Sequence, residues 1–322
     1  MRILCPVSRY GQAHIRIDSE FAEGPTSIRP DSTGHVESID SPCGAGVTEA
    51  TPRCRRFRFG AVSTVTDMRV HVVSDVHGAA EALARAGDGA DALVCLGDLV
   101  LFLDYHDLDR GIFTDLFGVE NTRELLALRN ARRFAEARAF SGSLWAGVPG
   151  GARQAIEAAV RRQYAALFAA FPTPTYVTYG NVDVPELWPD YAREGVTVLD
   201  GQVVEIGGRT FGFVGGGLRT PMHTPYEISD EEYAAKVAAV GRVDVLCCHI
   251  PPAVPDLTYD VVARRFERGS EAVLRAIHES EPDLVLFGHV HQPLRARMRI
   301  GRTECVNVGH FQATGKPYVL TW

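Results

Sequence analysis

LVLFGHVH, residues 284–291, runs four apolar residues into a glycine and then sets His289 and His291 one residue apart. VVSDVHG, residues 72–78, does the same with Asp75 and His77. Three more apolar runs end in a polar side chain: LVCLGD (93–98) in Asp98, YVTYGN (176–181) in Asn181 and LCCH (246–249) in His249. Short apolar runs closed by turn residues read as buried strands. In extended backbone, residues two apart point the same way, so Asp75 with His77 and His289 with His291 are expected to clamp one ion per pair, with Val76 and Val290 turned into apolar surroundings. Asp98 has two oxygens and can bridge two metals about 3.5 Å apart. Asn181 offers a carbonyl oxygen and His249 an imidazole. These are the donors that two hard or borderline divalent ions need if they are to share a water. Gly78, Gly97, Gly180 and Gly288 flank the seven residues and permit tight turns and the approach of a phosphate to the backbone.

Working outward, AAEALARAGDG (79–89) is predicted as a helix that ends at glycine, and ADALVCLGD (90–98) as a strand. The stretch 99–173 carries apolar residues at helical spacing, which predicts helices over 121–140 and 152–171 with Pro149 and Gly150 between them. VTVLDG, QVVEIGGRT and FGFVGGG (196–217) alternate as antiparallel strands and turns. Helices are predicted over 230–240 and 270–279, with strands at 243–249 and 282–289, and 296–310 and 316–322 close as sheet edges. The class is α/β, with sheets covered by helices and polar residues collected at strand C-termini. GFVGGG (212–217) lacks the lysine and hydroxyl of a phosphate loop and reads as a turn near the candidate site.

The chain has 322 residues, 46% of them hydrophobic, enough for one large core with a helical appendage. Residues 1–67 are rich in turn formers and read as a leader without a core of its own, or as the product of a start set upstream of Met68; 68–322 reads as one domain with an insertion at about 100–173. The net charge of −7, from 33 basic and 40 acidic residues, carries no polybasic stripe and disfavours a long nucleic acid partner. No apolar run is long enough to span a membrane, and the default location is the cytoplasm. Seven cysteines lie at irregular spacings; Cys95, Cys247 and Cys248 are expected as reduced core residues.

DVH, GD, GNVD, CHIPP and GHVHQP, in this order, resemble the calcineurin-like metallophosphoesterase superfamily over 68–322. The resemblance implies a four-layer α-β-β-α sandwich of two mixed sheets flanked by helices. It implies two ions among manganese, iron (Fe2+ or Fe3+), zinc and nickel. Asp75, His77 and His291 would hold the first, Asn181, His249 and His289 the second, and Asp98 would bridge them. It implies hydrolysis of phosphoester bonds by a hydroxide shared between the metals, acting as phosphodiesterase or phosphatase on a small phosphorylated substrate. One departure stands out: the histidine that usually follows Gly-Asn is Val182, a trait similar to the small phosphodiesterase-like branch that also includes a retromer scaffold subunit. Asp183 remains, expected as an acceptor for a metal-binding imidazole. With Val182 unable to donate a proton, His106, His223 and His310 are the candidates to protonate the leaving group. The competing expectation from a different class is a non-catalytic interaction scaffold, which would have lost one or more of the seven residues. The oligomeric state is open, a dimer included.

Overall fold

The computed structural model describes residues 67–221 and 223–322. The leader expectation for 1–67 therefore lies, apart from Asp67, outside the described residues, as do Cys5, Cys43 and Cys54.

The elements follow in this order: β1 (Arg69–Val73), α1 (Ala80–Leu83), β2 (Ala92–Cys95), α2 (Ile112–Asn130), α3 (Phe134–Ala146), α4 (Ala152–Ala170), β3 (Thr175–Val177), a 3-10 helix (Pro185–Tyr191), β4 (Val196–Val198), β5 (Gln202–Ile206), β6 (Arg209–Val214), β7 (Gly217–Leu218) and β8 (Glu227–Ile228). They continue with α5 (Asp230–Val240), β9 (Val245–Cys248), α6 (Pro255–Thr258), β10 (Tyr259–Asp260), β11 (Arg265–Phe266), α7 (Glu271–Ser280), β12 (Leu284–Phe287), β13 (Arg297–Ile300), β14 (Thr303–Asn307), α8 (Phe311–Thr314) and β15 (Tyr318–Thr321). One large sheet has the order β15-β1-β2-β3-β4 and the other β13-β14-β12-β9-β6-β5. β1 to β4 are mutually parallel, with β15 antiparallel at the edge; β14, β12, β9 and β6 are parallel, with β13 and β5 antiparallel outside them.

Side-chain alternation along the strands sorts the core into layers. Val70, Val72, Ala92 and Val94 of the first sheet meet Phe211, Phe213, Val245, Cys247 and Leu286 of the second. The opposite face of the first sheet, Val73, Leu93, Cys95 and Val177, packs against Ile156, Val160, Tyr164 and Leu167 of α4. The opposite face of the second, Leu246, Cys248, Val285 and Phe287, packs against Tyr233 and Val237 of α5 and Val273 and Ile277 of α7. The result is the expected α-β-β-α sandwich. Each fully buried Val, Leu or Phe contributes about 1.5–3 kcal/mol relative to exposure. The two helices on the second sheet, α5 and α7, are locally well started. Ser229 accepts the Glu232 N–H while Glu232 accepts the Ser229 N–H, and Ser270 accepts the Val273 N–H.

Four expectations needed correction. The helix expected over 79–89 is one turn, after which the chain turns through Gly87 and Gly89, where Gly87 faces Pro172. The single helix expected over 121–140 is two: Arg132 turns left-handed (φ 58°), and the chain breaks between α2 and α3. α2 and α3 then close on a small core of their own, Phe113, Leu125, Leu128 and Ala137 with Trp145 beside them. Third, β4 is no part of a meander: it runs parallel to β3 in the first sheet, and the chain crosses at Leu199–Gly201 to begin β5 in the second. Fourth, β14 is interior to its sheet, between β12 and β13. Cys95, Cys247 and Cys248 are buried free thiols, and Cys305 joins them. Among the described residues no helix is long and apolar enough to cross a membrane.

Candidate metal centre

The seven residues all follow C-terminal ends of parallel strands: Asp75 and His77 after β1, Asp98 after β2, Asn181 after β3, His249 after β9, His289 and His291 after β12. Loops from both sheets therefore meet at one end of the sandwich. Within the first sheet, Asp75 N–H donates to Gly97 O (3.1 Å) and His77 N–H to Asp98 O (2.9 Å). The sheets are joined by His289 N–H donating to Asp75 Oδ2 (3.0 Å) and by the His249 ring donating to Leu96 O (3.0 Å). Gly97 and Gly180 touch backbone to backbone, and Gly288 lies against Ser74 and Asp75, so a Cβ at any of these would strike its neighbour. Their glycines serve the packing of loop on loop, a different reason from the phosphate approach expected above.

The paired spacing does not work through extended backbone. Asp75 (φ 56°), His77 (φ 40°), Asp98 (φ 54°) and His289 (φ 67°) are all left-handed. A non-glycine residue there is strained by about 1–3 kcal/mol, and such strain concentrates where side chains must be aimed.

Asp98 Oδ2 lies 3.9 Å from His77 Nε2 and 3.4 Å from His249 Nε2. On one side His291 Nε2 stands 3.3 Å from His77 Nε2 and 3.5 Å from Asp75 Oδ1. On the other, Asn181 Oδ1 stands 3.0 Å from His249 Nε2 and 2.9 Å from His289 Nδ1. Donor atoms of Asp75, His77 and Asp98, and of Asp98, His249 and His289, fall within 4.8 Å of one another. Asp75, Asp98 and His249 are buried, while His289 and His291 are half-buried and mark the open side.

Tautomers follow from the partners. A carbonyl can only accept, so His77 Nδ1 donates to Val100 O (3.0 Å) and His249 Nδ1 to Leu96 O, leaving both Nε2 atoms as lone pairs. Asn181 is oriented by its Nδ2–H donating to Thr224 Oγ1 (3.0 Å), whose hydroxyl donates to Glu227 Oε1 (2.8 Å). Its oxygen therefore faces the imidazoles. The His249 lone pair thus points at Asn181 Oδ1 and Asp98 Oδ2, acceptors against an acceptor, an arrangement that calls for a cation between them. Burial opposes charge on His249, but the Asp98, Asp75 and Asp183 carboxylates outweigh it and hold its pKa up at about 9. Burial likewise pushes Asp98 up, but His249 and His77 bring it down to about 2; Asp75 is held well below the carboxylate range, His291 outweighing burial. The same field that would place a proton here favours a divalent metal.

Asp183 is not the imidazole acceptor expected of it. Its carboxylate accepts the backbone N–H groups of Asp98 (2.9 Å), Leu99 (3.0 Å) and Gly180 (2.8 Å) and the Tyr164 hydroxyl (3.3 Å). Burial and the neighbouring Asp98 charge raise its pKa to about 7. Val182 packs its side chain on the first-sheet core and gives its N–H to Asp98 Oδ1 (3.0 Å).

Of the three histidines considered for leaving-group protonation, only His310 lies against the cluster. Its ring stacks on His291 (centroids 3.8 Å apart) and meets His77 edge-on at 5.7 Å. Burial and the His291 charge bring its pKa down to about 4. His106 and His223 are exposed, and among the described residues neither ring contacts the cluster. Tyr105, beside His106 in the insertion, is also exposed and accepts from Arg129. The insertion reaches the site through Val100 O, on His77 Nδ1, and through Asp104, which accepts from the Gln312 side chain (2.7 Å). Sequence reasoning missed Asp104, Thr224, Glu227 and Gln312; only Thr224 and Glu227, three residues apart, carried a local pairing signal.

The family model for calcineurin-like phosphoesterases matches residues 68–293. The chain belongs to that family. Its members are generally metal-dependent hydrolases of phosphoesters. No curated protein matches the chain. One solved structure is similar at TM-score 0.52 and 16% identity, covering 80% of this chain and 95% of that chain, a likeness of fold. A Thermus thermophilus protein, TT1561, has TM-score 0.45 and 16% identity over 79% of this chain and 99% of that chain. A conserved protein of Streptococcus pneumoniae, described as a predicted phosphoesterase, has TM-score 0.27 and 14% identity over 76% and 74%. The donor set of this family member fits a metal pair: imidazole lone pairs, two carboxylates and an amide oxygen converge with too few protons among them.

Proposed function

We propose that this chain is a phosphoesterase working with two metal ions, acting on phosphodiesters or phosphomonoesters of small molecules. The observation that carries the reading is Asp98 Oδ2 standing between the Nε2 atoms of His77 and His249, each of whose rings is tied to a backbone carbonyl through its other nitrogen. Asp75, His77 and His291 would hold one cation, Asn181, His249 and His289 the other, and Asp98 both. When bound, such a pair lowers the pKa of water to give a nucleophile and offsets the charge that develops on phosphoryl oxygens. The chain's own residues do the rest. Val100 O and Leu96 O fix the ring tautomers, Thr224 turns the Asn181 oxygen inward, and Asp183 holds the backbone that carries Asp98.

The substrate enters on the half-buried side formed by His289, His291 and His310. Leaving-group protonation has no occupant at Val182, and a missing general acid costs about 10²–10⁴-fold, least for good leaving groups. Aryl esters are therefore expected to turn over faster than alkyl esters. With a net charge of −7, the phosphate is met by the cations themselves in place of a basic patch.

The test is a manganese-supplemented screen of phosphomonoesters and phosphodiesters with metal content measured on the same sample. Turnover that a chelator abolishes supports the reading. Protein that carries two ions per chain yet hydrolyses nothing would point to the scaffold alternative.

A further inference from the structure

We propose that Asp104, Gln312 and His310 form a positioning chain for His291, through which the loop that opens the insertion sets how tightly the cation among Asp75, His77 and His291 is held. The inference rests on the two-metal reading above and deepens it with three residues that touch no ion.

Of the three residues around that cation, two are fixed from outside the cluster. The His77 ring is tied to Val100 O through Nδ1, and the Asp75 carboxylate accepts the His289 backbone N–H (3.2 and 3.0 Å). His291 has no such tie. Among the described residues its polar contacts are all made by Nε2, 3.3 Å from His77 Nε2 and 3.5 Å from Asp75 Oδ1. Its side chain is 38% exposed, against 11% for His77. What holds this ring is a flat face. His310 lies on it with centroids 3.8 Å apart and planes 16° apart, and meets the His77 ring edge-on. A cation in the plane of the His291 ring lies out of the plane of the His310 ring, so His310 acts on the ligand and leaves the ion alone.

His310 is itself held in line. Asp104 Oδ1 accepts the backbone N–H groups of His106 (2.9 Å) and Asp107 (3.0 Å), which fixes its carboxylate within the insertion loop. Its Oδ2 accepts the Gln312 amide N–H (2.7 Å), so Gln312 turns Oε1 toward His310 Nε2 at 3.1 Å. An amide oxygen only accepts, so Nε2 donates, and the ring is locked against rotation. The backbone below is bonded to the loop that carries Asp75. Phe311 N–H donates to Ser74 O and Gln312 N–H to Asp75 O, each at 3.0 Å. Groups that orient a ligand in this way govern metal affinity without touching the metal.

The experiment is Co2+ titration of the metal-free full chain, followed by visible absorption and by competition with a chromophoric chelator, for wild type, His291→Ala, His310→Ala, His310→Phe and Gln312→Ala. His291→Ala marks which of the two ions His291 serves. The expected result is that His310→Ala weakens that same ion at least about tenfold and alters its spectrum, with the other ion unchanged. Gln312→Ala weakens it less, because the ring stays and loses only its orientation. Phenylalanine keeps a flat face against His291, so His310→Phe recovers most of the affinity lost in His310→Ala. Wild-type affinity in His310→Ala, equal weakening of both ions, or a His310→Phe chain as weak as His310→Ala would overturn the inference. A Gln312→Ala chain that binds like wild type would overturn the part that reaches the insertion. Metal-free melting curves identify a folding defect; should His310→Ala show one, Gln312→Ala, at a half-buried position, decides the matter. A wild-type chain that binds no Co2+ would remove the two-metal reading and the inference with it, a failure visible before any variant is made.

Discussion

Asp183 takes the backbone N–H of Asp98 at 2.9 Å, and with it those of Leu99 and Gly180, so one buried carboxylate closes the loops after β2 and β3 onto each other. Asp98 sits in left-handed backbone, and these bonds hold it there. Asp183→Asn replaces one accepting oxygen by an amide that must face an N–H. The expected loss is about 2–4 kcal/mol of stability in urea unfolding, with turnover down about 10–100-fold. Unchanged stability would mean that other contacts fix the Asp98 backbone.

Gly288→Ala is expected to disturb the site without touching a donor. The added methyl meets Ser74 Oγ and the Asp75 carboxylate. Overpacking of this kind costs about 1–3 kcal/mol and shifts what it strikes. Weaker binding of one Mn2+, measured by calorimetry against Gly142→Ala in α3 as a control in open space, is the expected result.

These two residues show how far the sequence could be read. The motif residues were legible because each closes an apolar run, and an apolar run ended by a turn residue has few other readings. The four layers were legible only through the family resemblance; the alternation along β1, β2, β9 and β12 that divides the core lies hidden in runs that are apolar on both faces. The aiming of the side chains was not legible. Left-handed backbone at Asp75, His77, Asp98 and His289 is imposed by packing between loops far apart in sequence, and no local pattern encodes it. Asp183 was noticed, but its partners are backbone groups of another loop, which residue types do not reveal. The break at Arg132 escaped because apolar spacing runs on through it, and the parallel pairing of β4 because a strand of three residues carries no sign of which sheet it joins.

Lys236 tests the support of Asn181 from behind. Its ammonium donates to Asp200 Oδ2 (2.7 Å) and Tyr226 Oη (2.9 Å), and Tyr226 N–H donates to Asn181 O (2.8 Å). Lys236→Met leaves Asp200 without its cation. The expected cost is about 1–3 kcal/mol in chemical unfolding, with a smaller effect on turnover than Asp183→Asn. An equal effect on turnover would make this cluster part of the site.

Asp104 gives the account a pH dependence. Burial works against its charge, but the His106 and Asp107 N–H groups, Gln312 and Arg110 outweigh it and hold its pKa below the usual value. A depressed carboxylate adds stability above its unfolded pKa of about 3.9 and loses that contribution as pH falls through the lower folded value. The stability difference between wild type and Asp104→Asn should therefore be constant at neutral pH and shrink below about pH 4. A difference that stays constant through that window would contradict the hydrogen bonds assigned to Asp104.

The central claim is that two cations share Asp98. Anomalous diffraction from crystals of the full chain grown with Mn2+ measures this directly. The account predicts two peaks about 3.5 Å apart, one among Asp75, His77 and His291 and the other among Asn181, His249 and His289, with Asp98 between them. A single peak, or peaks that leave Asp98 untouched, would contradict it.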